Sequence, residues 1–385
     1  MKVLFVLRRI GPYHHARFTA AVNAGIDLIV IETRPDSKEY PWEFNSLSSY
    51  KKISFPTSSS TEDDISNKEL DNQFQRVLNN YEPNIAVSAG WSDRSYMRLL
   101  ISCYKKRIPI TIVSDSRLCD KSRSKLKEFV KRLLIKGYQS SLVAGKESKE
   151  YLTNLGFPNS GIFQPWDVVD NNFFEKVAEN NEINLTSHFL CVSRFLERKN
   201  HITILKSYSK YQSNNGKLGL KFIGSGPLES KIRAILKTLP KPELVSIEPF
   251  QQLEELSTSY KKAYAFILAS TQDTWGLVIN EAMASGLPCI ASNACGCTTD
   301  LIRNKVSGFS FDPLDSDRLS EIMHLIEQQS SSERNAMINE AKKNLENFTP
   351  EAFAIGLQNS VNYAINKPCF SKSSFVVAEV ISRCL

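Results

Sequence analysis

The sequence predicts an α/β protein built from two doubly wound parallel-sheet domains. Three observations carry this. Short, nearly continuous apolar runs of strand length recur along the chain, stretches with helical spacing lie between them, and the alternation pauses at a polar, Asn-rich segment before starting again. The 385 residues suffice for two domains, each with its own core.

The elements follow in order. KVLFVL (2–7) reads as a buried first strand, and Gly11-Pro12 sits at the turn into a helix ending near Gly25. IDLIVIE, NIAVSAG, IPITIVSD, SSLVAG and GIFQP are further strand-type runs, and the polar piece from Ser54 to Asn67 reads as a surface loop. The second series is HFLCVS, LGLKFIGSG, ELVSIEP, AYAFILAS, LPCIAS and GFSFDP. The expected division is a first domain over 1–170, a linker over 171–186 and a second domain over 187–348. A helix over 349–366 that packs back on the first domain and a tail over 367–385 without readable pattern complete it.

Composition is that of an ordinary globular protein, with a net charge of +7. No apolar run reaches the length of a membrane span, and Arg8 and Arg9 follow the first strand where a signal peptide would stay apolar. Cys103, Cys191 and Cys289 lie in or beside apolar segments, where a thiol packs as a small hydrophobe, so a reducing, cytoplasmic location is expected. Cys295 and Cys297 have no second Cys or His pair to complete a zinc site, and no metal is expected. One glycine at the first turn does not make a dinucleotide fingerprint.

The most informative stretch is AYAFILASTQDTWGLVINEAMASGLPCIAS, a strand, a polar turn, a helix and a strand. Ligands of open parallel sheets bind at such turns. Asp273 lies at the turn and Glu281 eight positions on, about 12 Å apart at helical rise. A ligand touching both must be long, as is a sugar joined through a diphosphate to a ribose. The amides of Trp275, Gly276 and Leu277 stand at the helix start, where anions are favoured. Three other turns share this chemistry. Arg194 and Lys199 follow the strand FLCVS, Gly224 and Gly226 follow KFI, and Phe250 follows a strand end where it could hold a flat base. Singly, each has a plain structural reading: Asp273 as a cap, Glu281 as a solvated helix residue, the cations as ordinary surface. Asp315 and Asp317 form a DxD, read as a helix cap rather than a metal site.

Together, VSRFLERKNH, FIGSGPL, EPFQQLEEL, DTWGLVINEAMASGLPCIAS and NKVSGFSFDPLD resemble glycosyltransferase family 4, retaining enzymes of the GT-B architecture. The resemblance implies two Rossmann-like domains facing a central cleft, and a nucleotide-diphosphate sugar as donor. It implies a glycan or lipid-linked acceptor, and no cofactor. Carried over, Asp273 contacts the donor hexose, Glu281 the ribose, and Arg194 and Lys199 the diphosphate. The family has Glu where this chain has Asp273, one methylene shorter. In the first domain the family's glycine pair is replaced by GPYHH, and the stretch that often carries a His reads VSDSR. Gly11, His14, His15 and Asp115 are therefore the acceptor-side and first-loop candidates. The rival readings are a nucleotide-sugar epimerase or a phosphorylase of the same architecture, and a non-enzymatic binder of polyanions or membranes.

Residues 94–136 are strongly basic, with only Asp115, Asp120 and Glu128 as acids. Leu126, Phe129, Val130, Leu133 and Leu134 share one helical face. The plain expectation is a core helix with a solvated basic side. The functional alternative is peripheral contact with anionic lipid or an anionic acceptor. Nucleic acid is not expected, because no reading helix or aromatic-interleaved basic sheet is present.

Overall fold

A computed structural model describes residues 1–35, 49–55, 65–120, 123–179 and 188–385. The chain divides into two compact units, Met1–Val168 with Pro350–Leu385, and Val169–Thr349.

The first unit runs β1 (Lys2–Leu7), α1 (Pro12–Asn23), β2 (Asp27–Glu32), β3 (Lys51–Ser54), α2 (Asn67–Tyr81), β4 (Ile85–Ser88), α3 (Arg94–Lys106), β5 (Ile110–Ser114), α4 (Lys125–Ile135), β6 (Ser140–Val143), α5 (Lys146–Asn154) and β7 (Ile162–Phe163). Its sheet is parallel, in the order β3-β2-β1-β4-β5-β6-β7. Strands buried on both faces favour nearly continuous apolar runs, which β1 and β4 supply, while the buried Thr111 of β5 and Ser140 of β6 hydrogen-bond each other at 2.7 Å. Ser66 and Asp93 cap α2 and α3 by accepting backbone N–H groups. β3 was not expected: KKIS is an edge strand whose lysines are exposed, so it lacks the apolar signal. Most of the polar piece between Ser54 and Asn67, residues 56–64, lies outside the described residues.

The second unit runs α6 (Asn171–Glu179), β8 (His188–Val192), α7 (His201–Ser213), β9 (Gly219–Ile223), α8 (Glu229–Leu236), β10 (Val245–Glu248), α9 (Leu253–Lys262), β11 (Ala265–Leu268), α10 (Leu277–Ala284), β12 (Cys289–Ser292), α11 (Thr298–Leu301), β13 (Phe309–Phe311), α12 (Ser316–Glu327) and α13 (Ser331–Leu345). Its parallel sheet has the order β10-β9-β8-β11-β12-β13. Chain direction across the sheet reverses between β8 and β11, so the loops leaving those strands diverge to opposite faces and open a crevice at their carboxyl ends.

The expected linker is corrected in part. Residues 171–179 are helical and belong to the second unit: Asp170 accepts the Phe173 N–H, and the buried Phe174 ring meets Tyr260 edge-on at 6.0 Å. Residues 180–187 lie outside the described residues. The expected patternless tail is also corrected.

After the second unit the chain forms α14 (Pro350–Asn366) and α15 (Lys372–Cys384), both part of the first unit. α14 lays Phe353, Leu357 and Val361 against α1 and the sheet. Gly356 is needed there, since a Cβ would stand 2.6 Å from the Gln164 carbonyl oxygen. α15 is capped by Ser371 and packs on α3 and α4, with Ser374 donating to the Leu134 carbonyl at 2.6 Å.

Candidate active site

The loop after β8 carries Arg194 and Lys199, and the loop after β11 carries Asp273. Three contacts tie these loops together. The Thr271 N–H donates to the Arg198 carbonyl at 2.8 Å, Asn200 Nδ2 donates to the Ala269 carbonyl at 3.1 Å, and Lys199 Nζ lies 2.5 Å from Asp273 Oδ2. Asn200 takes φ +57°, which turns the chain into α7, and its amide also reaches the Pro313 carbonyl at 2.8 Å. The loop after β12 grips the Asp273 backbone from the other side. Gly296 N–H donates to the Asp273 carbonyl at 3.0 Å, and Cys297 N–H to that of Trp275 at 3.1 Å. The carboxylate of Asp273 is therefore fixed by its own backbone as well as by its partners.

Lys199 and Asp273 are each 16% exposed at the side chain. Ser270 Oγ also donates to Asp273 Oδ2, at 3.3 Å, so both side-chain contacts fall on the same oxygen. The sequence reading sent Lys199 to a diphosphate and Asp273 to a sugar; in the structure they hold each other. Arg194 is exposed on the same loop.

Gly276 begins α10 at φ +107°, a conformation that glycine adopts without strain. Trp275 is buried rather than open to a ligand. Its indole N–H donates to Asn280 Oδ1 at 2.9 Å and its ring packs 5.1 Å from that of Phe348. Leu277 opens the helix, whose first amides lack intrahelical partners by construction. Glu281, one turn further, is 1% exposed, so it is not a solvated helix residue. Its Oε2 accepts the Tyr260 hydroxyl at 2.8 Å. Tyr260, on α9, was missed by the sequence reading. Its signal was a tyrosine four positions after Leu256 on the apolar face of that helix.

Gly224 and Gly226 have a role other than the one expected. A Cβ at Gly224 would stand 2.1 Å from the Ser193 carbonyl oxygen, and one at Gly226 2.7 Å from that of Phe195. The close approach they permit is that of the β8 loop backbone, which they hold in place beside Arg194. Phe250 is half-buried on the loop after β10, two strands from the crevice.

In the first unit, His14 Nδ1 accepts the Gly11 N–H at 3.1 Å, which puts the ring proton on Nε2. Burial, then the Arg17 charge, push its pKa down to about 3, so the imidazole is neutral. His15 contacts the Tyr50 hydroxyl at 3.2 Å and Thr19 at 3.4 Å. Asp115 is half-buried beyond β5. Among the described residues, no group of three His, Cys, Asp or Glu side chains is arranged to hold a metal ion. Asp315 accepts the Arg318 N–H at 2.8 Å as the cap of α12, and Asp317 pairs with Lys210. Nor is any described helix long and apolar enough to cross a membrane.

Two Rossmann-like parallel sheets, one carrying a cationic and acidic cluster at its switch point, define a GT-B glycosyltransferase fold. Residues 172–344, nearly the whole of the second unit, match the family described as glycosyl transferases group 1. The sulfoquinovosyl transferase of Arabidopsis thaliana is 31% identical over 118 residues, covering 30% of this chain and 22% of that protein. The chain thus spans about a fifth of that relative's length. Among solved structures, a glycosyltransferase of Rickettsia africae superposes with a TM-score of 0.72 at 14% identity, covering 95% of this chain and 98% of the other. HepE of Anabaena, solved in complex with UDP, gives 0.72 at 14% identity, covering 94% and 100%. These likenesses concern the fold.

Proposed function

We propose that the protein is a retaining glycosyltransferase. It moves a hexose from a nucleotide-diphosphate sugar to a hydroxyl of a glycan or lipid-linked acceptor. The observation that carries the reading is the contact of Lys199 with Asp273 at the β8/β11 crevice, beside Arg194 and at the start of α10. A cation and an acid facing each other there are a pair that a donor can divide. Its diphosphate takes Lys199 and Arg194, and its sugar hydroxyls take Asp273.

In the reaction the C1–O bond to the diphosphate breaks and the acceptor oxygen bonds C1 on the same face. The acceptor proton passes to the departing phosphate oxygen. Negative charge grows on that leaving group, and Arg194, Lys199 and the first amides of α10 are fixed positive groups aimed at it. Glu281, steadied by Tyr260, accepts ribose hydroxyls. Gly11, His14, His15 and Asp115 of the first unit are assigned to acceptor recognition. In the cytoplasmic setting proposed, no cofactor is required.

Calorimetry with UDP, ADP and GDP, followed by product analysis with the matching sugar nucleotides, tests the reading. UDP is the first choice because the Anabaena neighbour was solved with it. Transfer with retained anomeric configuration supports the proposal. Interconversion of the donor without an acceptor points instead to an epimerase, and the absence of nucleotide binding rejects the reading altogether.

A further inference from the structure

Helix α4 is inside out. Its residues Leu126, Phe129, Val130 and Leu133 recur at positions i, i+3, i+4 and i+7, the spacing of a core-facing stripe. Yet Leu126 is 72% exposed and Phe129 57% exposed, and Leu118 in the preceding turn is 54% exposed. Val130 and Leu133 are only half-buried. The side turned inward carries Leu134 and Ile135, both 2% exposed, together with charged groups. There Glu128 accepts the Tyr151 hydroxyl at 3.0 Å and Lys131 Nζ at 3.0 Å, and the Arg123 guanidinium lies over the Tyr151 ring. These contacts, led on the favourable side by the Lys131 hydrogen bond, lower the pKa of Glu128 against its desolvation. The network fixes the roll of the helix, so the exposed stripe is its built orientation.

The cations divide in the same way. Arg98, Arg117, Arg123 and Lys131 are taken up by Asp71, Glu379, Asp120, Glu147 and Glu128. Lys125, Lys127 and Lys136 stand exposed around the apolar stripe, as does Arg132, which also donates to the Asn154 carbonyl at 3.3 Å. An apolar strip ringed by cations matches an anionic lipid surface, with acyl chains under the strip and headgroup phosphates at its margins.

We infer that the outer face of α4, with Leu118, docks the protein on anionic membrane, with Leu126 and Phe129 entering the headgroup boundary. The surface belongs to the first unit and the proposed donor site to the second, so its test does not depend on turnover.

The full chain is sedimented with vesicles of phosphatidylcholine alone and of phosphatidylcholine with phosphatidylglycerol. Binding is expected only to the anionic vesicles, weakening as salt rises. The double variant Leu126→Gln/Phe129→Gln should lose it while keeping its circular dichroism and its UDP binding. Charge removal at Lys125 and Lys127 should each weaken it roughly fivefold. Lys131 is left alone, because it holds the inner network. Failure of the wild type to sediment, or unchanged sedimentation of the double variant, overturns the inference. So does a wild-type dimer in light scattering that the double variant makes monomeric, because the face would then be covered by a second copy.

Discussion

At the scale of single residues, the contact between Lys199 and Asp273 is the most exposed to test. While the carboxylate holds the ammonium, a diphosphate must displace it. Asp273→Asn should therefore tighten binding of UDP by about tenfold in calorimetry, since a charged hydrogen bond is worth about 1.5–3 kcal/mol. Turnover should fall by about a hundredfold, because the sugar loses its charged acceptor. Weakened UDP binding would show that the pair does not compete with the nucleotide. Tyr260→Phe should act in the other direction. It leaves the buried Glu281 one donor short, so UDP affinity should drop about fivefold with little change in kcat, read as a KM-against-kcat split. His201 supplies a pH test. It is fully buried beside Phe195, and its pKa is pushed down to about 4 by burial, with a smaller contribution from Lys199. The folded state then binds fewer protons than the unfolded one between pH 4 and 6.5, so stability rises with pH across that window. It is complete above about pH 6.5 and lost as pH falls, on the order of 3 kcal/mol for this group. Chemical denaturation at stepped pH should show that slope, and His201→Gln should flatten it.

At the scale of elements, the loops after β8 and β9 form one piece through Gly224 and Gly226. Gly224→Ala places a methyl 2.1 Å from the Ser193 carbonyl oxygen, a severe overlap, at φ +143°. It should lower the stability of the second unit by about 3 kcal/mol or more, measured as a fall in its thermal midpoint. This is also where sequence reasoning reached its limit. KFIGSGPL announced a strand, a turn and a helix, but not that the space beside the glycines belongs to Ser193 and Phe195. Strands such as AFIL and CIAS were legible because burial on both faces leaves them almost wholly apolar, Ser292 at the end of the second being the exception. KKIS was not, because an edge strand with lysines outward resembles loop. Glu281 stood out in the sequence as a candidate by its distance from Asp273. Its burial and its link to Tyr260 were not, because that contact joins two helices 21 positions apart. The apolar stripe of α4 was legible too, while its outward direction is set by Tyr151, which no local pattern in α4 could reveal.

At the scale of the whole molecule, the first unit is built from two separated pieces of chain. α14 covers α1 and the strands β5, β6 and β7, and α15 braces α3 and α4. Termination after Thr349 should therefore unfold the first unit and leave the second able to bind UDP. Limited proteolysis should recover a fragment near residues 169–349. Equal resistance of both units in the truncated chain would contradict the assignment of these helices. Division into two units was readable from the pause in alternation. The tail's part in the first was not, because the helix from Lys372 follows a Pro-Cys-Phe-Ser stretch and shows its partners only in three dimensions.

The return of α14 and α15 also sets a schedule. A ribosome delivers the residues of the first sheet early, yet the helices that cover it emerge only after the whole second unit. The second unit, contiguous in sequence, has all its strands and helices before them. During synthesis the sheet begun first waits with α1 and the strands that α14 covers open to solvent. The order of completion along the chain is the reverse of the order of translation, and the nascent first unit is the stage at which aggregation or chaperone capture falls.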